Sequence, residues 1–142
     1  MRVFVTGGTG FVGQEVLREL YGAGHGIRIL VRNPKSKRVE EVVSRFGAEV
    51  HPGDVTDAGS LNGAVVGMDA VIHLVGIISE VGTMTFEKVH TEGTRNMMAA
   101  ARNQGVKRFI HMSALCTRAA AVSSHEDSIP RIRTTYSAIC SL

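Results

Sequence analysis

Residues 1–13 read MRVFVTGGTGFVG, with four glycines placed directly behind a short apolar run. Glycine loses more conformational freedom on folding than any other residue, at a cost of roughly 0.5–1 kcal/mol in regular structure, so a cluster of it reports a steric demand. Gly7, Gly10 and Gly13 follow the pattern TGxxGxxG between a strand-length segment and a helical one. In that setting the first glycine makes the turn, the second leaves room for a pyrophosphate and the third lets the helix pack on the strand. The helix N-terminus then presents unpaired N–H groups and the positive end of its dipole to phosphate. A glycine-rich tight turn without a ligand is the alternative, and the β-α-β setting argues against it.

The rest of the chain alternates short apolar runs with longer amphipathic segments. RVFVT (2–6), IRILV (27–31), AEVH (48–51), AVIHLV (70–75) and KRFIHMS (107–113) have strand length and β-branched content. A first helix places Phe11, Val12, Val16, Leu17 and Leu20 at helical spacing, with Gly22, Gly24 and Gly26 available to end it. A second is expected from Asn33 as N-cap and Pro34 at the first helical position to Gly47 as terminator. Asp57 caps a shorter helix through Val66. The longest runs from about Thr85 to Gln104, with Phe86, Val89, Met97 and Ala100 or Ala101 on one stripe and Gly105 as its stop. Five strands alternating with four helices predict an α/β fold, a Rossmann-type doubly wound parallel sheet covered on both faces.

Composition narrows the function classes. A 142-residue chain that is 44% hydrophobic and 20% charged has the makeup of a folded domain. Its net charge of +3 comes from basic residues spread along the chain, VRNPKSKR (31–38) being the one cluster, which argues against a nucleic-acid surface. Cys116 and Cys140 lack metal-ligand spacing, no metal site is expected, and their sparse use fits a reducing compartment, so a cytoplasmic location is expected. No apolar stretch reaches the roughly 20 residues that span a bilayer.

Taken together, VTGGTGFVG, GDVTD, AVIHLVG and HTEGTRNMMAAARNQGVKRFIHMSAL resemble the NAD(P)-dependent epimerase/dehydratase branch of the short-chain dehydrogenase/reductase superfamily. The atypical members, similar to the accessory reductase-like subunit of respiratory complex I, are the nearest in pattern. The resemblance covers residues 1 to about 122, which are expected to form the nucleotide-binding domain. It implies that Thr9, Phe11 and Val12 fill the phosphate loop, and that Asp54 and Val55 flank the adenine, the carboxylate accepting from its exocyclic amine. Asp54 closing a turn after Gly53 is the other reading. Leu74, Val75 and Gly76 correspond to the segment beside the adenosine ribose. His73 reads as a satisfied strand histidine rather than a catalytic one. His90 stands where extended members commonly carry Asn in NxxGT.

Cofactor choice rests on the end of the second strand, where Asp or Glu holds the ribose hydroxyls of NAD and arginine accommodates the 2′-phosphate of NADP. That position is Arg32, followed by Asn33 and Lys35, with no carboxylate until Glu40. NADP is therefore expected, with NAD as the alternative. The family's chemistry uses a Tyr whose pKa is lowered by a Lys four residues on, with a Ser or Thr on the substrate oxygen. Here Tyr21 and Tyr136 are followed at that spacing by His25 and Cys140. Ser113 is the one candidate catalytic hydroxyl, and the next position is Ala114. Residues 123–142 diverge from the family and read as a polar tail, with Ser123, Ser124, His125 and Asp127 unable to face one point. The resemblance thus implies a dinucleotide-binding half, cut before the sixth strand and substrate lobe, whose exposed fifth strand favours a homo-oligomer. An active reductase completed by oligomerisation and a non-catalytic structural or redox-sensing partner protein are the other readings.

Overall fold

The computed structural model describes residues 1–112, so Ser113, Ala114, the two cysteines, Tyr136 and the 123–142 tail lie outside the described residues. Strand β1 (Arg2–Thr6) is followed by helix α1 (Phe11–Gly22), β2 (Gly26–Val31), α2 (Lys37–Phe46), β3 (Glu49–Pro52), β4 (Ala70–His73), α3 (Gly93–Asn103) and β5 (Arg108–His111). A single 3₁₀ turn at Ala58–Leu61 lies between β3 and β4, and a π-helical stretch, Glu87–Glu92, leads into α3. All pairings are parallel and the strand order is β3-β2-β1-β4-β5. The first strand in sequence is thus the central one, paired to β2 through Val5↔Ile29 and to β4 through Val5↔Ile72.

Side chains of a strand alternate between faces, and β1 uses both. Val3 and Val5 join Leu17 of α1, Ile29 of β2 and Val39, Val42 and Phe46 of α2 in one buried cluster. Phe4 points the other way, into a second cluster with Leu30, Leu61, Val65, Met97, Ala101 and Phe109. Burying each such side chain contributes about 1.5–3 kcal/mol, so two cores on opposite faces pin the register of the central strand. The doubly wound α/β architecture is as the alternation predicts.

Four features differ from expectation for identifiable reasons. Asn33 does not cap α2: its side chain accepts from Lys35 N at 3.1 Å and its carbonyl from Ser36 N at 3.2 Å. Asn followed by Pro serves a β-turn as well as a helix start, and α2 begins after Ser36. Asp57 does cap, accepting from Gly59 N, but only the short 3₁₀ turn forms; Gly63 and Gly67, at φ +76° and +71°, turn the chain out of it. The long helix is split, its first part π-helical, and Phe86 lies 46% exposed off the buried stripe of Val89, Met97 and Ala101. In α1 the apolar stripe narrows, since Phe11 is 91% exposed while Leu17 is fully buried. The predicted stops hold: Gly24, Gly47 and Gly105 all adopt positive φ at helix ends.

Candidate functional site

Because every strand is parallel, the loops after β1, β2, β3 and β4 open on one edge of the sheet. The chain direction of winding reverses between β1 and β4, and a crevice at such a switch point, outside the carboxyl ends of the strands, is where ligands bind in open α/β sheets. The topology brings four sequence-predicted groups there: Gly7–Gly13 after β1, Arg32–Lys35 after β2, Asp54–Val55 after β3 and Leu74–Gly76 after β4.

The glycine loop is built by close backbone contact. Gly7 has φ +75°, and a Cβ there would lie 3.1 Å from the Leu74 carbonyl carbon and 3.2 Å from Val75 N. A Cβ on Gly13 would strike Gly7 O and come within 2.7 Å of Gly8 Cα. Gly10 differs: its backbone is ordinary and extended, and its Cβ would meet only Gly7 O, at 3.3 Å. Gly10 N donates to Gly7 O and Gln14 N to Gly10 O, each at 3.0 Å, which starts α1. No side chain caps that helix and its first turn holds no carboxylate, so its leading N–H groups and dipole are left for an anion. This cradle fits a pyrophosphate on the evidence of what a side chain would fill.

After β2, Arg32, Asn33 and Lys35 are exposed. Arg32 and Lys35 form no ion pair among the described residues, in contrast to Arg2 and Arg28, which both engage Glu49. After β3, Asp54 Oδ1 accepts from Thr56 N at 2.8 Å and from its hydroxyl at 2.9 Å, while Asp54 N donates to Ser60 Oγ at 2.9 Å. One carboxylate oxygen therefore closes a turn, and the other makes no hydrogen bond among the described residues.

Three positions of α3, two packed against this turn and one against His73, carry no separate prediction. A Cβ on Gly93 would lie 2.9 Å from buried Val55 Cγ2, and Asn96 Nδ2 donates to Val55 O at 2.9 Å. Thr94 reaches the ring of His73. Their signal was the stretch HTEGTRN, whose glycine and amide read as helix residues until the fold set them against the β3 loop.

His73 is fully buried. Its Nδ1 lies 2.7 Å from Thr6 Oγ1, its Nε2 3.2 Å from Thr94 Oγ1, and its ring stacks on His111 at 5.4 Å. Burial, followed by the neighbouring His111 and His90, lowers its pKa to about 4, so it is a neutral structural imidazole. The pKa of His111 is lowered too, chiefly by burial.

The NAD(P)H-binding family profile matches residues 7–138. This chain belongs to the NAD(P)H-binding family. It is 36% identical over 121 residues to a 3 beta-hydroxysteroid dehydrogenase/Delta 5-->4-isomerase of Mycobacterium tuberculosis, covering 80% of this chain and 31% of that one. It is 32% identical to the photosystem II assembly factor Ycf39 of Synechocystis, covering 81% of this chain and 34% of the relative. Among solved structures, the Bordetella bronchiseptica enzyme WbmG in complex with NAD superposes with a TM-score of 0.68 at 28% identity, over 81% of this chain and 38% of that one. The NAD(P)H-binding chain thus spans about a third of the length of these relatives. Its fold is that of an NAD(P)-binding domain of the short-chain dehydrogenase/reductase type, as in a superfamily member from Agrobacterium tumefaciens at 31% identity. Among its described residues no helix is long and apolar enough to cross a membrane.

Proposed function

We propose that this domain binds NADP in preference to NAD, as the cofactor half of an oxidoreductase, with the pyrophosphate on Gly7, Thr9, Gly10, Phe11, Val12 and Gly13. Asp54 and Val55 hold the adenine, and Leu74, Val75 and Gly76 line the ribose. The observation that carries the NADP choice is Arg32. It is an exposed cation at the end of β2 without an ion-pair partner among the described residues, beside Lys35 and without a carboxylate. A guanidinium pairs bidentately with a phosphate dianion, and a desolvated or shared ion pair elsewhere would be the ordinary structural use of it.

The bound dinucleotide supplies hydride chemistry; the chain's own residues bind and orient it. The 142 residues contain no Tyr with Lys four positions on, so we read them as incomplete for the family's acid/base step, with Ser113 the remaining hydroxyl candidate outside the described residues. A non-catalytic partner role is the second reading, favoured by the likeness to an assembly factor. We propose a cytoplasmic location, supported by the sparse use of cysteine without metal-ligand spacing.

Arg32→Asp tests the assignment. A charge-assisted hydrogen bond contributes about 1.5–3 kcal/mol, so NADP affinity is expected to fall roughly ten- to hundredfold. NAD should be spared, since the new carboxylate can accept from the ribose hydroxyls. Both titrations belong in the same salt, because screening blunts the difference. Equal losses would assign Arg32 to the fold or the shared adenosine, and a wild type preferring NAD would overturn the NADP reading.

Self-association is proposed through β5. It is an edge strand among the described residues, with Ile110 and Met112 about two-fifths exposed, and unpaired strand edges template pairing. Light scattering at high concentration should show dimers or larger species; a monodisperse monomer would overturn it.

A further inference from the structure

We propose that His90 is a positioning residue for the dinucleotide, holding the Gly76–Ile77 backbone as one wall of the cleft. The inference rests on the dinucleotide reading above. His90 Nε2 lies 3.1 Å from Ile77 N and 2.9 Å from Ile77 O. Its ring also occupies the space beside residue 76: a Cβ on Gly76 would come within 2.9 Å of His90 Cε1. Gly76 is not among the glycines with positive φ, so the imidazole's approach, not backbone conformation, accounts for a glycine there.

On the other side, the same segment lies against Gly7, whose absent side chain lets the Leu74 and Val75 backbone come close. Residues 74–77 are therefore clamped between the phosphate loop and His90. Past Ile77 the chain enters an exposed stretch in which Ile78 is fully exposed and Val81 72% exposed. It is tied back by the Val81–Met84 bridge and by Phe86 N donating to Glu80. His90 is thus the fixed point between the rigid end of β4 and that loop. It sits in the π-helical stretch Glu87–Glu92, a distortion that occurs often at functional sites.

A neutral imidazole presents Nε2 as acceptor or donor, never both. Either Ile77 N–H donates to Nε2 or Nε2–H donates to Ile77 O, whereas a side-chain amide offers one group of each kind. That difference separates positioning by hydrogen bond from simple packing.

The test titrates NADP and NAD into the full 142-residue chain and into His90→Ala, His90→Phe and His90→Gln. His90→Phe keeps ring bulk over Gly76 without the hydrogen bond, and His90→Gln keeps donor and acceptor at similar reach. His90→Ala and His90→Phe are expected to weaken both cofactors about three- to tenfold, the range one hydrogen bond supports. His90→Gln should stay within about twofold of wild type. Wild-type affinity in His90→Phe with a loss in His90→Gln would assign His90 to packing and overturn the proposal, as would four equal affinities. Should His90→Phe fail to fold, amide exchange at Ile77 decides: saturating NADP should slow it in wild type, and an unchanged rate would overturn the proposal. A wild type that binds neither cofactor removes the dinucleotide reading and this inference together, whereas wild-type binding indifferent to all three substitutions removes this inference alone.

Discussion

Gly10→Val is expected to weaken dinucleotide binding at least about a hundredfold in a chain that still folds, whereas Gly13→Val is expected not to fold. The two glycines stand three residues apart in one motif, yet their surroundings differ. Gly10 is extended at φ −80° and ψ 175°, and its Cβ would meet a single protein atom at 3.3 Å. Valine therefore fits the protein after a small shift of the loop, and on the dinucleotide reading proposed above its branches would occupy the pyrophosphate path. A Cβ on Gly13 would collide with Gly7 O and with Gly8 Cα at 2.7 Å. Those are backbone atoms of the turn that joins β1 to α1, so relief requires moving the helix off the central strand. Overpacking costs about 1–3 kcal/mol even where side chains yield, and native stabilities are only about 5–15 kcal/mol. Circular dichroism with calorimetric titration of both variants checks this pair. A folded Gly10→Val chain with unchanged affinity would remove the loop from the site.

The second large effect is acid destabilisation through His73. Its pKa is about 4 when folded, against an ordinary value of 6.5. In the unfolded chain the imidazole takes up its proton first as pH falls, so the stability it contributes is complete above pH 6.5 and is lost between 6.5 and 4. Each pKa unit corresponds to about 1.4 kcal/mol. Denaturant unfolding should therefore show about 2–3 kcal/mol less stability from this group at pH 4.5 than at pH 7. His111, lowered in the same direction, adds to the loss in the range below its own ordinary value. His73→Leu leaves Thr6 and Thr94 without the ring and should be less stable at pH 7, but its stability should change less over the same interval. A wild-type stability that stays flat from pH 7 to 4.5 would refute the neutral-imidazole assignment.

The sheet and the phosphate loop were legible because each is written in local pattern. β1 shows a strand-length apolar run, α1 a helical period and Gly7–Gly13 the steric requirement between them. Helix starts were less legible, since Asn33 and Pro34 suit a turn and an N-cap equally, and only packing of Val39, Val42 and Phe46 against the sheet decides where α2 begins. The split before α3 was invisible for a related reason. Residues 85–104 carry one continuous helical period, and the π-helical stretch comes from tertiary ties such as His90 to Ile77. Of the candidate site, the steric demand at Gly7 and Gly13 could be read from their neighbours in sequence. Gly93 and Asn96 could not, because their partner, Val55, lies about 40 residues away and meets them only once α3 crosses the sheet.

The central place of β1 has a consequence for how the chain comes off the ribosome. Its partner on one side, β2, ends at Val31, but its partner on the other, β4, is complete only at His73. At synthesis rates of about 5–20 residues per second, one edge of the central strand waits roughly 2–8 s for its neighbour. During that interval the β1-α1-β2-α2-β3 half can pair and bury Val3, Val5 and Ile29, while Phe4 and the apolar face it belongs to stay uncovered. The nascent chain is then at its most adhesive, and a holding chaperone would find its binding surface on the Phe4 face of the sheet.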